Sequence, residues 1–294
     1  MVEFKGACLM TWSEGYWDII NELYWVPSYL GLKSIPKRHW TVEGNMVCVP
    51  KSMTNPSGPL YRRVRSGDDY EAFIRRQEET FNHILNLTLS ILPGEVVAEI
   101  FGPVANFSVP GDLKVLGKSI SNRYSWIAGA NATTPDAFLL SESCIFAIEI
   151  KFNAKTSLDQ LAKYVALIAG EEIQNGKRDF VNLLFVYPLK ANEKFISQTN
   201  INPVDIGPRY FDMLSDSVGN ARVKSLYLSE QESIRDTLSR LNVRCITWQD
   251  LYGQIISFME KLGESNGDKT LFRLLSGLAS EILFHPLSCV DEKA

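Results

Sequence analysis

The fold of this chain is organised around residues 135–164, PDAFLLSESCIFAIEIKFNAKTSLDQLAKY. Its centre, residues 144–152, is a nearly continuous run of apolar side chains without proline or glycine, which predicts a buried strand. Two charges, Glu149 and Lys151, interrupt this run. Side chains two positions apart on a strand project from the same face, so the carboxylate and the ammonium are expected side by side. Because burying either charge without a partner costs several kcal/mol, the pair indicates a functional site.

Regular elements are predicted on both sides of this strand. The polar turn at residues 141–143 is typical of a connection between antiparallel strands, so residues 135–140 and 144–152 are expected to form a hairpin. Residues 157–170 have apolar side chains at helical spacing and end at a glycine, which predicts a helix. Residues 181–187, VNLLFVY, predict a second buried strand.

The clearest helical pattern comes before the hairpin, at residues 68–92. Its apolar residues fall on one stripe with a period of about 3.6 residues, and polar residues, Asn82 and Asn86 among them, take the opposite face. Residues 95–107 are rich in strand-forming residues and predict a β segment. Over residues 68–188 the predicted order is therefore helix, three strands, helix and strand.

The two ends of the chain carry weaker patterns. Residues 1–67 are rich in aromatic and turn-forming residues, and their two basic clusters are either surface charge or a patch for a nucleic-acid backbone. Residues 189–222 predict mostly irregular structure with a short helix near 210–214. The remaining predictions are a strand at 223–228, a helix at 230–241, a strand at 244–247, and helices at 249–262 and 270–283.

This order predicts an α/β protein with a mixed central sheet flanked by helices. We expect three parts: an N-terminal extension at residues 1–67, a core at 68–190, and a C-terminal α/β extension at 191–294 packed on that core. With 294 residues and 45% apolar content, the chain is long enough to bury one large core.

Composition argues against several classes of protein. No apolar run approaches the ~18 residues of a membrane helix and the N-terminus lacks a secretory pattern, so we expect a cytoplasmic protein with no membrane partner. The five cysteines are far apart and include no CxxC pair, which argues against a disulfide framework, a zinc ribbon or an iron–sulfur cluster. The formal charge of −4 gives no global attraction to nucleic acid, so such a partner would require a local basic patch or metal ions.

The charged pair has a further acid nearby in the predicted hairpin. Asp136 begins the strand that pairs with the strand of Glu149. Two carboxylates on neighbouring strands can hold a hard divalent cation, and the backbone carbonyl of Ile150 between them can add another oxygen ligand. Such an ion polarises a phosphate oxygen and lowers the pKa of a bound water, while Lys151 can stabilise charge on the phosphate. This combination is suited to phosphodiester hydrolysis.

The pattern of Pro135-Asp136 followed by Glu149-Ile150-Lys151 on a buried strand, within a helix, three-strand, helix, strand order, resembles the PD-(D/E)XK nuclease superfamily. The match at Gln160-Leu-Ala-Lys-Tyr164 is similar to the QxxxY element of its RecB-like branch. The resemblance covers residues 68–188 and implies a restriction-endonuclease-like αβββαβ core.

Several site residues follow from this resemblance. Asp136 and Glu149 would be catalytic metal ligands and Lys151 the catalytic lysine, with Mg²⁺ as the cofactor and Mn²⁺ as a substitute. Gln160 and Tyr164 would bind the nucleic-acid backbone or support the lysine.

Members of the superfamily often have a further acid on the first core helix. Glu78 is our candidate for this metal ligand, with Glu79 and Glu95 as rivals.

Each of these residues also has a purely structural interpretation. Gln160 lies three residues after Ser157 and is a possible capping-box partner, and Tyr164 is a possible core residue. Glu149 and Lys151 would be a solvent-facing pair if their strand lay at an edge. The other structural alternatives are a turn or strand start for Asp136, the helix surface for Glu78, and ordinary surface or core positions for His39 and His83.

The function expected from the sequence is a metal-dependent nuclease acting in defence or DNA repair, with a Mg²⁺-activated water as the nucleophile. DNA is favoured over RNA as the substrate, and a homodimer is a possible assembly. The alternative hypothesis is a catalytically inactive nuclease-like module that binds nucleic acid or assembles into a larger complex.

Overall fold

The computed structural model describes residues 11–13, 16, 32–34, 48–50, 78–115 and 135–291. The predicted beginning of the first helix, residues 68–77, lies outside the described residues, as do His39 and both basic clusters of the N-terminal extension. The described strands are Leu32–Ser34 (β1), Cys48–Pro50 (β2), Lys114–Val115 (β3), Ala137–Leu140 (β4), Cys144–Ile150 (β5), Phe180–Tyr187 (β6) and Leu241–Thr247 (β7). The described helices are Glu78–Ile91 (α1), Gly94–Ala105 (α2), Leu158–Asn175 (α3), Ala191–Thr199 (α4), Phe211–Ser217 (α5), Ala221–Ser229 (α6), Gln231–Arg240 (α7), Trp248–Met259 (α8) and Asn266–Phe284 (α9).

Five of the strands form one mixed sheet in the order β3-β4-β5-β6-β7. β3, β4 and β5 pair antiparallel, whereas β5, β6 and β7 pair parallel. β1 and β2 form a separate antiparallel pair. The predicted α/β class with a mixed sheet is confirmed, and β5 lies at the centre of that sheet.

The predicted hairpin of β4 and β5 is present. Phe138 pairs with Ala147, and Leu140 pairs with Ile145. The turn between them is closed by Ser141, whose N–H donates to the Cys144 carbonyl over 2.9 Å and whose Oγ accepts the Cys144 N–H over 3.0 Å. The polar turn therefore fixes the register that brings the start of β4 to the end of β5.

Helices cover both faces of the sheet, which explains why β5 is apolar at almost every position. α3, with α5, α6 and α7, packs on one face, where alternate residues of β5 such as Ile145 and Ala147 are buried. α1, α2, α8 and α9 cover the other face, onto which Phe146, Ile148 and Ile150 project. Because every residue of β5 is buried, the interpretation of Glu149 and Lys151 as a solvent-facing edge pair is wrong.

The β segment predicted at residues 95–107 is wrong, because this segment forms the helix α2. Its buried apolar residues recur at helical spacing, as with Val96 and Ile100, and this packing outweighs the strand preference of the valines. Pro103 has no N–H to donate to the carbonyl of Glu99, and the side chain of Gln254 donates to that carbonyl instead, over 3.1 Å. The first of the three predicted strands is therefore the short β3, which follows α2 in the chain.

Three further predictions differ from the structure. The helix α3 continues past Gly170 and ends before Gly176, whose φ of 92° suits glycine. The strand predicted at residues 223–228 is part of the helix α6. Asn220 caps its N-terminus, since the Asn220 side chain accepts from N–H groups of the first turn. The segment predicted as mostly irregular, residues 189–222, contains the helix α4 as well as the expected short helix, which is α5.

The C-terminal region is joined directly to the sheet. β7 pairs with β6 along its whole length, with Val181 opposite Leu241 and Tyr187 opposite Thr247. α8 then crosses to the face that carries α1 and α2. None of the described helices has the length and apolar character to span a membrane.

Candidate active site

The Glu149 carboxylate lies at the end of β5, on the face covered by α3. It accepts hydrogen bonds from three side chains: Lys151 and Gln160 donate to Oε1, Gln160 over 2.7 Å, and the Tyr164 hydroxyl donates to Oε2. Gln160 also donates to the Tyr164 hydroxyl over 2.9 Å. A carboxylate offers about four lone pairs, so these three donors leave room for a further ligand.

The charges of Glu149 and Lys151 are buried and compensate one another. The side chains of Lys151 and Glu149 are only 5% and 4% exposed, and they form an ion pair. Burial, followed by the charge of Glu149, holds the pKa of the Tyr164 hydroxyl well above its usual value of 10.0. Tyr164 therefore remains a hydrogen-bond donor to Glu149 over the physiological pH range.

The structure distinguishes the interpretations of Gln160 and Tyr164. Ser157 caps α3 by accepting the backbone N–H of Gln160 over 3.0 Å, but the Gln160 side chain reaches Glu149 rather than returning to the cap. The reciprocal capping box is thus not formed. Tyr164 is fully buried in the core, and its hydroxyl is bonded to Glu149 at the same time.

Asp136 lies beside Glu149 because it directly precedes β4 in the hairpin. Its Oδ2 accepts the backbone N–H of Ile150 over 2.7 Å. Burial raises the pKa of the Asp136 carboxyl to about 8, and repulsion from Glu149 adds to this rise, although hydrogen bonds from Ile150 and Asn82 and the charge of Lys151 act against it. A carboxylate so strongly disfavoured by its surroundings is what a cation binding between Asp136 and Glu149 would relieve.

Two asparagines of α1 hold Asp136, and both belong to the polar face predicted opposite the apolar stripe of this helix. Asn82 donates from Nδ2 to Asp136 Oδ1, and Asn86 donates to the backbone carbonyl of Asp136. This polar side of α1 lies against the beginning of β4. Glu78, Asn82 and Asn86 are spaced four residues apart and so lie along one line of the helix. This spacing was the signal in the sequence for a polar stripe that contacts another element.

The three candidate acids for a further ligand lie in different surroundings. Glu78 reaches the end of β5, where its Oε2 accepts the N–H of Phe152 over 3.0 Å. Glu95 is exposed in the first turn of α2 and lies against Gly111. The side chain of Glu79 lies outside what the structure describes, and His83 is exposed on α1.

The residues present provide the oxygen atoms that a hard cation requires. The N–H of Ile150 is directed to Asp136, and the carbonyl of the same strand residue points to the same side. Asp136 is thus close both to Ile150, whose N–H it accepts, and to Glu149, whose charge acts on it. Asn82 adds a buried amide oxygen, Oδ1, that has no hydrogen-bond donor. No group of three histidine, cysteine or acidic side chains suited to a metal occurs in the described part of the chain, so a cation here would depend on backbone or amide oxygens as well as two carboxylates.

Comparison with protein-family models, with curated proteins and with solved structures finds no match to this chain.

Proposed function

We propose that this chain is a metal-dependent nuclease that hydrolyses phosphodiester bonds, with DNA as the favoured substrate. The observation that carries the proposal is the group of Asp136, Glu149 and Lys151 at the end of the central strand. These three groups are buried or half-buried and ionisable, and such groups stay in a core only at a cost in stability. A catalytic role therefore explains their proximity more readily than a contribution to the stability of the fold does.

Asp136, Glu149 and the carbonyl of Ile150 would hold the cation, Mg²⁺ or Mn²⁺. When bound, such an ion supplies Lewis acidity toward a phosphate oxygen and lowers the pKa of a water molecule beside it. Lys151 carries its ammonium on the same face of β5, where it would stabilise negative charge on the phosphate. Gln160 and Tyr164 would act by orienting the carboxylate of Glu149, to which both donate.

The order of elements supports a restriction-endonuclease-like core as the finer description of the fold. A helix, α1, precedes an antiparallel β3-β4-β5 meander, and the helix α3 then leads to β6, parallel to β5. The additional helix α2 stands between α1 and β3, so the proposed core includes one insertion.

The decisive experiment incubates the purified protein with circular DNA, linear DNA and RNA in the presence of Mg²⁺, Mn²⁺ or EDTA. We expect cleavage with either cation and none with EDTA. Nicking of circles would identify an endonuclease, and loss of linear substrate alone an exonuclease.

Asp136→Ala, Glu149→Ala and Lys151→Ala should each reduce cleavage by at least about a hundredfold, because each removes a group that acts on the phosphate or the cation. The matched control is Lys177→Ala, since Lys177 forms an exposed ion pair with Asp236. Undiminished cleavage by all three site variants contradicts the proposal. Binding of DNA without cleavage favours the alternative of an inactive nucleic-acid-binding module.

A further inference from the structure

Asn82 has one amide atom whose environment the fold alone does not explain. Its Nδ2 donates to Asp136 Oδ1, whereas its Oδ1 is buried and receives no hydrogen bond. Leaving a buried acceptor without a donor is unfavourable, and a bound ion or water molecule is a usual explanation of such an atom. Nδ2 and Oδ1 are bonded to the same carbon of Asn82. A single ion or water molecule can therefore contact both Asn82 Oδ1 and the Asp136 carboxylate.

Exchanging the two amide atoms would not remove this cost. When Asp136 is ionised, a half-turn of the amide would bring Asn82 Oδ1 against Asp136 Oδ1, and two acceptors repel each other. The same half-turn becomes favourable when a cation lies between the two oxygens. The Nδ2 group, which is the positive end of the amide dipole, therefore lies beside Asp136.

We propose that Asn82 is a ligand of the divalent cation, with Oδ1 as the ligand atom. This inference rests on the metal site of the proposed function. Amide oxygens of asparagine are ordinary ligands of hard cations, and Asn82 would add an oxygen from α1 to those of β4 and β5. The ligands would then connect α1 to the hairpin of β4 and β5. Asn86 connects the same helix to the hairpin, because it donates to the backbone carbonyl of Asp136.

The test is a Mn²⁺ titration followed by electron paramagnetic resonance, in which bound Mn²⁺ loses the signal of the free ion. Asn82→Ala should weaken Mn²⁺ binding about tenfold or more. Asn82→Asp should bind Mn²⁺ at least as tightly as the wild type, because a carboxylate oxygen takes the place of the amide oxygen. The two roles are separated by carbon-13 electron–nuclear double resonance of bound Mn²⁺ in protein labelled at the asparagine side-chain amide carbons, because the amide carbon of a ligating asparagine is bonded to the metal-bound oxygen. We expect a carbon-13 coupling that Asn82→Ala removes, whereas an asparagine that only donates to Asp136 lies further from the ion and gives a much weaker coupling. Absence of this coupling in the wild type, or unchanged affinity in Asn82→Ala, overturns the inference.

The controls separate this inference from the proposed function. Asn175→Ala removes an asparagine that donates to Glu171 at the C-terminal end of α3, far along this helix from Gln160. This variant should leave Mn²⁺ affinity unchanged. Absence of Mn²⁺ binding by the wild type overturns the metal site itself. Binding that is lost in Asp136→Ala but complete in Asn82→Ala overturns the role of Asn82 alone. If Asn82→Ala does not fold, the carbon-13 coupling of Mn²⁺ bound to the wild type decides between the two roles.

Discussion

Trp248 Nε1 donates a hydrogen bond of 3.3 Å to the backbone carbonyl of Lys151, across 97 residues of sequence. The Trp248 ring also stacks on Phe152, the next residue, with ring centroids 4.9 Å apart. His285, just after α9, stacks on the same Phe152 ring at 3.7 Å. The region beyond β7 thus fixes the end of β5, where the candidate lysine lies.

We expect Trp248→Phe to lower both stability and cleavage. The substitution keeps an aromatic ring for Phe152 but leaves the Lys151 carbonyl without its donor, which should cost about 1–3 kcal/mol in the free energy of unfolding. Urea denaturation and a DNA cleavage assay would measure the two effects. The matched control is Trp12→Phe, because Trp12 Nε1 donates in the same way to the Leu274 carbonyl on α9. Equal losses of cleavage in both variants would contradict a specific role for Trp248.

Tyr164→Phe should reduce cleavage by about tenfold or more while the protein remains folded. The phenyl ring preserves the packing of α3 against the sheet, but Glu149 Oε2 loses the hydroxyl that orients it. Tyr227→Phe provides the comparison, since Tyr227 is equally buried and its hydroxyl donates to the carbonyl of Ala162 on the same helix over 3.0 Å. Both variants should lose about 1 kcal/mol of stability, and only Tyr164→Phe should lose cleavage. Wild-type cleavage by Tyr164→Phe would contradict the orienting role.

The sequence predicted those elements whose local pattern agreed with their final environment. β5 and β6 were predictable because strands buried on both faces are continuously apolar, and α3 was predictable from its helical spacing and its Ser157 cap. α2 and α6 were not predicted as helices, because both contain valine and other residues that favour strands. Their helical conformation depends on the packing of these residues against the rest of the protein.

The same limit applies to the candidate site. Glu149 and Lys151 were found from their charge within an apolar strand, and the structure brings Gln160 and Tyr164 to Glu149. Asn82 was predicted only to lie opposite the apolar stripe of α1, and that stripe does not specify what the polar side of the helix contacts. Its contact with Asp136 depends on where β4 begins relative to α1, which no local pattern in either segment specifies.

Asp136 should make the stability of the metal-free protein depend on pH. Its pKa is about 8 in the folded protein against a usual value of 3.8, so the folded state holds the proton more tightly than the unfolded state. The stability that this group contributes is complete below pH 4 and is lost as the pH rises through about 8. With EDTA present, the free energy of unfolding should therefore fall more steeply between pH 5 and pH 9 in the wild type than in Asp136→Asn.

The variant should accordingly be the more stable protein at pH 9, because it carries no negative charge beside Glu149 and its amide oxygen still accepts the Ile150 N–H. Urea denaturation across this pH range measures the difference, in which the titration of all other groups largely cancels. Parallel pH profiles for the two proteins would show that Asp136 titrates near its usual pKa.

Arg240→Lys should lower stability without changing cleavage per folded molecule. Both terminal nitrogens of Arg240 donate over 2.8 Å to the buried Glu172 carboxylate, near the C-terminal end of α3. Lysine keeps the charge but cannot donate through two parallel groups, so we expect a loss of about 1–3 kcal/mol in the free energy of unfolding. Arg209→Lys is the control, since Arg209 forms an exposed pair with Asp205 at 3.6 Å and should change stability by less than about 0.5 kcal/mol.

Glu172 lies twelve residues after Gln160 on α3, so the two ends are about 18 Å apart along the helix axis. Stability is measured by urea denaturation, and cleavage is compared at equal concentrations of folded protein. A loss of cleavage in Arg240→Lys under those conditions would mean that α3 transmits strain from Glu172 to Gln160. Unchanged cleavage would mean that Glu172 and Arg240 serve only to hold the C-terminal end of α3 against α7.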